Sequence, residues 1–479
     1  MGNKLQDFES NKHRRSLGVH LTSREFFLTY IFPEIKEKIW EYAWIDLYAG
    51  EGNLVLPILD SITHKKRTQF FKDHIYLFDI QPEMIQKCLS NAKNYGIPLE
   101  IAKKNIQLRD NLESFPSFLK NAKFPLYHIT NPPYLYLGYI TKHKETQNYL
   151  KIFKGKNDGY QDLYQIAMIN DLRNEIGNLI YIIPSNFLFG ASVSNRFRID
   201  FLNYYKINKI KIFETKIFEY TGTNICIGFF IRKKLPKSEE VEFQGIKIKK
   251  QSKLIKKKYI LKPEFKYRAG CEFDEFLKEF IVQKPLKVNY YLLEKEVTRN
   301  NGYNEILVID ANNYQRNEYK KIALHVSENL KNKIESNLLY VRTVDTGSYD
   351  GRVGLGIIME DFKADGIYVS GNTYRTHPIQ IFFEPRITSH EQRLLKKYFN
   401  FILEAFREKL DSEFLTTYKY SEAEYTRKYL GLIQTKKLIQ TFPYNEINDE
   451  FKDNLNYLVD RRDFDNLLKL LKACKDKSN

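Results

Sequence analysis

Seven short apolar runs, near residues 45, 75, 99, 126, 179, 210 and 225, limit what this chain can fold into. Helical patterns separate most of them, and such alternation implies a mostly parallel sheet covered on both faces. Ligands of open α/β sheets bind at the carboxyl ends of the strands, so the residues that follow each run carry the functional argument. The run Leu126-Tyr127-His128-Ile129-Thr130 leads directly into Asn131-Pro132-Pro133-Tyr134. Two successive prolines remove two backbone donors and fix φ, which stiffens the turn and sets the direction of its carbonyls. An amide oxygen and a proline carbonyl held this way can accept hydrogen bonds from an exocyclic amine, while Tyr134 offers a flat face on which a base can stack. The turn suits the edge of adenine.

A second turn supports this reading. Ile45-Asp46-Leu47 runs into Tyr48-Ala49-Gly50-Glu51-Gly52-Asn53, with a helical pattern expected from Leu54. Glycine serves where a ligand approaches the backbone or φ turns positive. A dinucleotide fingerprint would require a third glycine where Val55 stands, so a nucleotide diphosphate is not the expected ligand. The next run, Ile75-Tyr76-Leu77-Phe78, ends in Asp79-Ile80. An acid there can accept both hydroxyls of a ribose, and Ile80 can lie against an adenine ring. The polar stretch His64 to Lys72 reads as a loop insertion that lengthens the spacing from Gly52 to Asp79.

These segments resemble the motifs by which Rossmann-like methyltransferases hold S-adenosylmethionine. The chain as a whole resembles the N6-adenine DNA methyltransferases of restriction-modification systems, whose signature the tetrapeptide matches. The resemblance implies catalytic roles for Asn131, Pro132, Pro133 and Tyr134, with Phe218 of Ile217-Phe218-Glu219-Tyr220 beside a flipped-out base. It implies cofactor contacts from Asp46, Tyr48, Gly50, Gly52, Asp79, Ile80 and Asn131. Thr22 matches a turn residue that contacts the methionine carboxylate, although the family's usual aromatic near His20 and proline near Ser23 are absent. Asp110 matches an acid that binds the cofactor's adenine amine. The match continues through Asp162-Leu163-Tyr164, the strand 178–186, the helix Arg196 to Leu202 and the strands near 210 and 225. The stretch from Gly52 to Asn131 is filled by two strands and their helices, so no DNA-reading domain fits there. The order, with Thr22 first and a large C-terminal region last, resembles the γ class, and Asn at the head of the tetrapeptide favours adenine N6 over cytosine N4.

At 479 residues with a formal net charge of +17, the chain is long enough for two domains, and its charge suits a partner carrying many phosphates. The expected organisation is a methyltransferase domain over 1–235 with a seven-stranded sheet, a basic linker over 236–262 and a mixed α+β target-recognition domain over 263–479. In the last region, short β-like runs fill 335–385, Ser389 with Gln392 forms a capping box, and a second helix starts near Asp453. Four scattered cysteines form no metal spacing and suit a reducing cytoplasm, bacterial or phage-encoded. No apolar run is long enough to cross a bilayer. Expected partners are double-stranded DNA and a cognate endonuclease on a separate polypeptide, with the protein itself a monomer. RNA adenine and protein-glutamine methyltransferases share the turn, and a catalytically inactive DNA-binding relative is the non-enzymatic alternative.

Overall fold

The computed structural model describes residues 22–218, 224–249, 253–345, 352–419, 427–444 and 448–478. The chain divides into two compact units, Met1–Ala269 and Gly270–Asn479. The first is built on strands β1 (Ala43–Asp46), β2 (Ile75–Asp79), β3 (Ile106–Leu108), β4 (Leu126–Thr130), β5 (Asn178–Pro184), β6 (Tyr205–Phe213), β7 (Ile225–Arg232), β8 (Val241–Ile248) and β9 (Leu254–Leu261). They form one sheet in the order β3-β2-β1-β4-β5-β7-β6-β8-β9. The pairings from β3 to β5 are all parallel. β7 lies antiparallel between β5 and β6, β8 runs parallel to β6, and β9 runs antiparallel to β8. This is a Rossmann-like, mostly parallel methyltransferase sheet.

β5 shows why the runs read as continuous apolar stretches. Leu179, Tyr181 and Ile183 enter one apolar cluster with Phe187, Phe197 and Phe201. The alternate residues Ile180 and Ile182 enter a second cluster with Trp44, Phe71 and Leu89. Successive side chains of a strand point to opposite faces, so burial on both faces removes any polar alternation.

Three expectations are corrected here. The run near 99 is a helix, Leu99–Asn105, with Pro98 as its N-cap, and β3 begins only at Ile106. Its apolar residues cover a helix face, with Ala102 buried and Leu99 exposed. His64–His74 is likewise a helix, anchored by buried Phe70 and Phe71 near its end. The turn after Gly52 leads into a 3-10 helix, Leu56–Ser61, in place of the α-helix expected from Leu54.

The stretch 236–262 holds β8 and β9, so most of the expected linker is sheet, and the first unit runs on to Ala269. Alternation explains the misreading. Val241, Phe243, Tyr259 and Leu261 pack inward while Lys256 and Lys258 point to solvent.

The second unit contains two four-stranded sheets. One joins β10 (Lys287–Tyr290), β17 (Pro378–Glu384), β14 (Leu339–Arg342) and β15 (Gly354–Ile357). The other joins β11 (Leu292–Leu293), β16 (Gly366–Val369), β12 (Asn304–Gln315) and β13 (Glu318–Val326). The helix Ser389–Leu410 buries Leu394, Leu395, Tyr398, Ile402 and Phe406, a spacing that puts them on one face. Its capping box is one residue earlier than the sequence suggests, formed by Thr388 and Glu391. The C-terminal helical region is two helices, Asp449–Asp460 and Phe464–Ser478. No helix among the described residues is long and apolar enough to cross a membrane.

Candidate active site

A cavity of about 290 Å³ opens at the carboxyl ends of β1, β2 and β4. Its first wall is the turn after β1. Gly50 and Gly52 have φ of +53° and +84°, in the left-handed region that L side chains avoid. A Cβ on Gly52 would stand 2.7 Å from Leu56 Cδ1 and 2.9 Å from Cys88 Sγ. Conformation and packing both require glycine there.

Asp79 ties this turn to the next. One carboxylate oxygen accepts from the Gly50 N–H at 2.8 Å and the other from the Gln81 N–H at 2.8 Å. Burial raises its pKa. Ile80 beside it lines the cavity and is half exposed, an apolar face left open.

Asp46 closes β1 and is 1% exposed. Its Oδ1 accepts from the Tyr48 N–H at 3.0 Å and the Thr130 hydroxyl at 2.6 Å. Its Oδ2 is buried with no partner among the described residues. Burial pushes the carboxyl up to about 6. Below the same turn, the Leu47 N–H donates to His128 Nε2 at 3.1 Å, which makes that nitrogen the acceptor. Nδ1 therefore carries the proton and donates to Asp171 at 2.6 Å, and the Tyr181 hydroxyl donates to the same carboxylate oxygen.

The tetrapeptide forms the opposite wall. Asn131 Nδ2 donates to the Thr22 hydroxyl at 3.0 Å, while its Oδ1 accepts from the Tyr134 hydroxyl. That hydroxyl also lies 2.6 Å from the Ile182 carbonyl of β5. Both ends of the amide are thus oriented. Asp162 fixes the exit of the turn. It accepts from the Leu135 N–H at 3.0 Å and stands at the N-cap of the helix Leu163–Arg173. Burial pushes its carboxyl up to about 7.

Of the residues singled out in the sequence, Thr22, Asp46, Tyr48, Gly50, Asp79, Ile80, Asp110, Asn131, Pro132 and Pro133 all line the cavity. Gly52 stands behind its wall. Tyr134 and Phe218 are not in the lining; both pack against one apolar cluster, in which Phe218 is buried. The segment 219–223 lies outside the described residues. Asp110 accepts from the Leu112 N–H at 3.0 Å, which shapes the turn after β3.

Sequence reasoning did not single out Asn111 or Tyr149, which also line the cavity. Asn111 donates to the Leu47 carbonyl at 2.8 Å, and its side-chain oxygen is buried with no partner among the described residues. Tyr149 comes from a 3-10 helix, Lys144–Phe153, that no motif marks. No group of three or more His, Cys, Asp or Glu side chains suited to a metal ion occurs among the described residues.

The donor and acceptor set fits S-adenosylmethionine. The buried, unpartnered Asp46 Oδ2 calls for a donor or a cation, exposed Ile80 calls for an apolar surface, and the Asp79 carboxylate keeps lone pairs for hydroxyls.

No curated protein matches the chain. Among solved structures, the Type IIL restriction-modification enzyme MmeI, in complex with DNA, aligns with a TM-score of 0.50 at 13% identity, over 93% of this chain and 71% of its own. A modification subunit of a putative type I restriction enzyme from Vibrio vulnificus YJ016 aligns with a TM-score of 0.36 at 16% identity, over 57% of this chain. The Type ISP enzyme LlaGI, a nuclease-deletion mutant bound to a DNA substrate mimic, aligns with a TM-score of 0.48 at 12% identity, over 92% of this chain. The alignments span 56% of the Vibrio subunit and 47% of LlaGI. The likeness to MmeI is one of fold. Residues 17–218, which include the cavity lining, match the model of the Eco57I restriction-modification methylase family, so this segment is similar to that family.

Proposed function

We propose that the protein transfers a methyl group from S-adenosylmethionine to N6 of a flipped-out adenine in duplex DNA. It would act as a γ-class enzyme of a type II restriction-modification system, marking DNA against a cognate endonuclease on a separate polypeptide. The observation that carries this reading is the placement of Asn131 and the two prolines on the wall of the cavity that also holds Asp46, Asp79 and Ile80. In this reading the first unit is the methyltransferase domain and the second recognises the target.

When bound, the cofactor supplies a sulfonium methyl that is already activated, so the chain need provide neither metal nor strong base. The residues position the nucleophile. Adenine N6 is a poor nucleophile because its lone pair is delocalised into the ring. With its two hydrogens accepted by Asn131 Oδ1 and the Pro132 carbonyl, the nitrogen is held pyramidal and its lone pair is aimed at the methyl carbon. The cofactor would supply the methyl group and keep the electron pair of its S–C bond, and the surplus proton of the amine would leave to solvent. Asp46 Oδ2 would meet the ammonium of the methionine half, Asp79 the ribose hydroxyls, Ile80 the adenine ring, and Asp110 its amine.

An adenine inside a duplex cannot present N6 in line with the methyl, so it must leave the stack, at a cost of a few kcal/mol. Stacking on an aromatic ring contributes roughly 1–3 kcal/mol per base, and Tyr134, with Phe218 nearby, is the surface proposed for it.

The test is transfer of labelled methyl to duplex DNA, with RNA and protein acceptors in parallel. Asn131→Ala should keep cofactor binding and lose transfer by on the order of 10²–10³, as for deletion of one polar group aimed at a transition state. Near-normal turnover in that variant, or transfer to RNA or protein alone, would overturn the proposal.

A further inference from the structure

We infer that the β12–β13 hairpin of the second unit enters the major groove of duplex DNA and reads base edges with Gln315, Arg316 and Asn317. The inference rests on the proposed function and names the element that would recognise the target.

The hairpin is held to the unit as far as Tyr319, which packs on Phe362 with ring centroids 5.8 Å apart, and its two-residue turn lies beyond that contact. β12 pairs with β16 only from Val308 to Asp310, and beyond that point its strand partner is β13. Asp310 secures the departure, accepting from the Ser370 hydroxyl at 2.8 Å and from the Asn312 N–H at 3.0 Å. Lys321 lies opposite Ile309, whereas Tyr314 pairs with Tyr319 and Gln315 with Glu318, so the β12 strand bulges between Ile309 and Tyr314. From Tyr319 to the tip at Asn317 the strand extends about 7 Å at 3.4 Å per residue, and the Gln315 and Arg316 side chains reach further. A major groove is about 12 Å wide and 8.5 Å deep and admits a two-stranded ribbon. The reach is sufficient.

The chemistry of the tip matches that groove. Gln315, Arg316, Asn317, Lys320 and Lys321 are all exposed. None of these side chains has a hydrogen-bond or ion-pair partner among the described residues. Amide side chains pair with adenine edges and Arg with guanine edges, while Lys meets phosphates. Only Glu318 adds a negative charge. Tyr314 and Tyr319 stiffen the ribbon by cross-strand contact, with ring centroids 4.7 Å apart.

The backbone gives an independent reason. Arg316 and Asn317 form a two-residue turn with φ of +52° and +67°. Such turns favour Asn or Gly at both positions, and an Arg with positive φ is strained. Folding alone would favour glycine at 316. A long cationic side chain at a strained turn points to a task outside the fold.

The test uses the full chain and three variants. Arg316→Gly should leave the thermal midpoint unchanged or raised, because strain is relieved, yet lower affinity for the cognate duplex by about 5- to 150-fold, the equivalent of one bidentate base contact. The word methylated by this variant, read by sequencing modified bases, should relax at one position or more. Gln315→Ala should relax a neighbouring position. Lys320→Ala/Lys321→Ala should weaken cognate and random duplexes alike and reduce the salt slope by about 1.8. Unchanged affinity and an unchanged word in Arg316→Gly and Gln315→Ala overturn the inference, as does a wild-type protein that binds no duplex. Wild-type binding without methyl transfer to DNA would overturn the proposed function and leave the binding comparison to decide the hairpin.

Discussion

Asp46, buried, and Asp162, partly buried, are two carboxylates with different tasks. Asp46 holds β1 to β4 through Thr130 and leaves one oxygen unpartnered toward the cavity. Asp162 accepts from the Leu135 N–H just after the tetrapeptide. Burial raises both, to about 6 and about 7. A raised carboxyl means that the folded state binds its proton more tightly than the unfolded chain does. Such groups therefore contribute stability at low pH that is lost as pH rises through the folded values. In Asp162→Asn, the difference in thermal midpoint between about pH 5 and pH 8 should shrink, because the amide keeps an acceptor without a charge to bury. An unchanged difference would show that Asp162 does not titrate there. Asp46 predicts something further. An ammonium brought to its free oxygen lowers the pKa, so S-adenosylmethionine binding near pH 6 should release protons, and the calorimetric heat should depend on the ionisation enthalpy of the buffer. No buffer dependence would separate Asp46 from the cofactor's cation.

At the scale of elements, what was legible in the sequence followed from local chemistry. Asn131-Pro132-Pro133-Tyr134 and the Gly50–Gly52 turn could be read because rigid turns after apolar runs use few residue types. Ile80 could be read because it directly follows a strand end. Tyr149 could not, since a tyrosine in a polar stretch carries no sign of what it faces, and the buried His128–Asp171 pair joins residues 43 positions apart. Helix and strand were confused at Leu99, where a short apolar run fits either period. The lysine-rich stretch 236–262 reads as charged, yet Val241, Phe243, Tyr259 and Leu261 within it pack inward. That strand pair has a consequence for truncation. A chain ending near Lys237 strips β8 and β9 from the sheet and removes buried Val241, Phe243, Tyr259 and Leu261. It should aggregate or melt early, whereas a chain ending at Ala269 should stay soluble and bind S-adenosylmethionine. Equal solubility and equal melting of the two would show that β8 and β9 do not support the sheet.

Across the whole molecule, the two compact units divide the proposed labour, with methyl transfer in the first and target choice in the second. The net charge of +17 is consistent with a polyanionic partner. Charge draws any duplex, since phosphate contacts carry no sequence information, and selection must come from base edges and DNA shape. In the proposed function one chain both selects a DNA word and methylates adenine within it. The direct measurement is expression in a methylation-deficient host, followed by sequencing that reads modified bases. N6-methyladenine is expected at one position of one short word throughout the host DNA, absent when Asn131→Ala is expressed at the same level. Host DNA without modified adenine, or with the methyl group on cytosine, would contradict it.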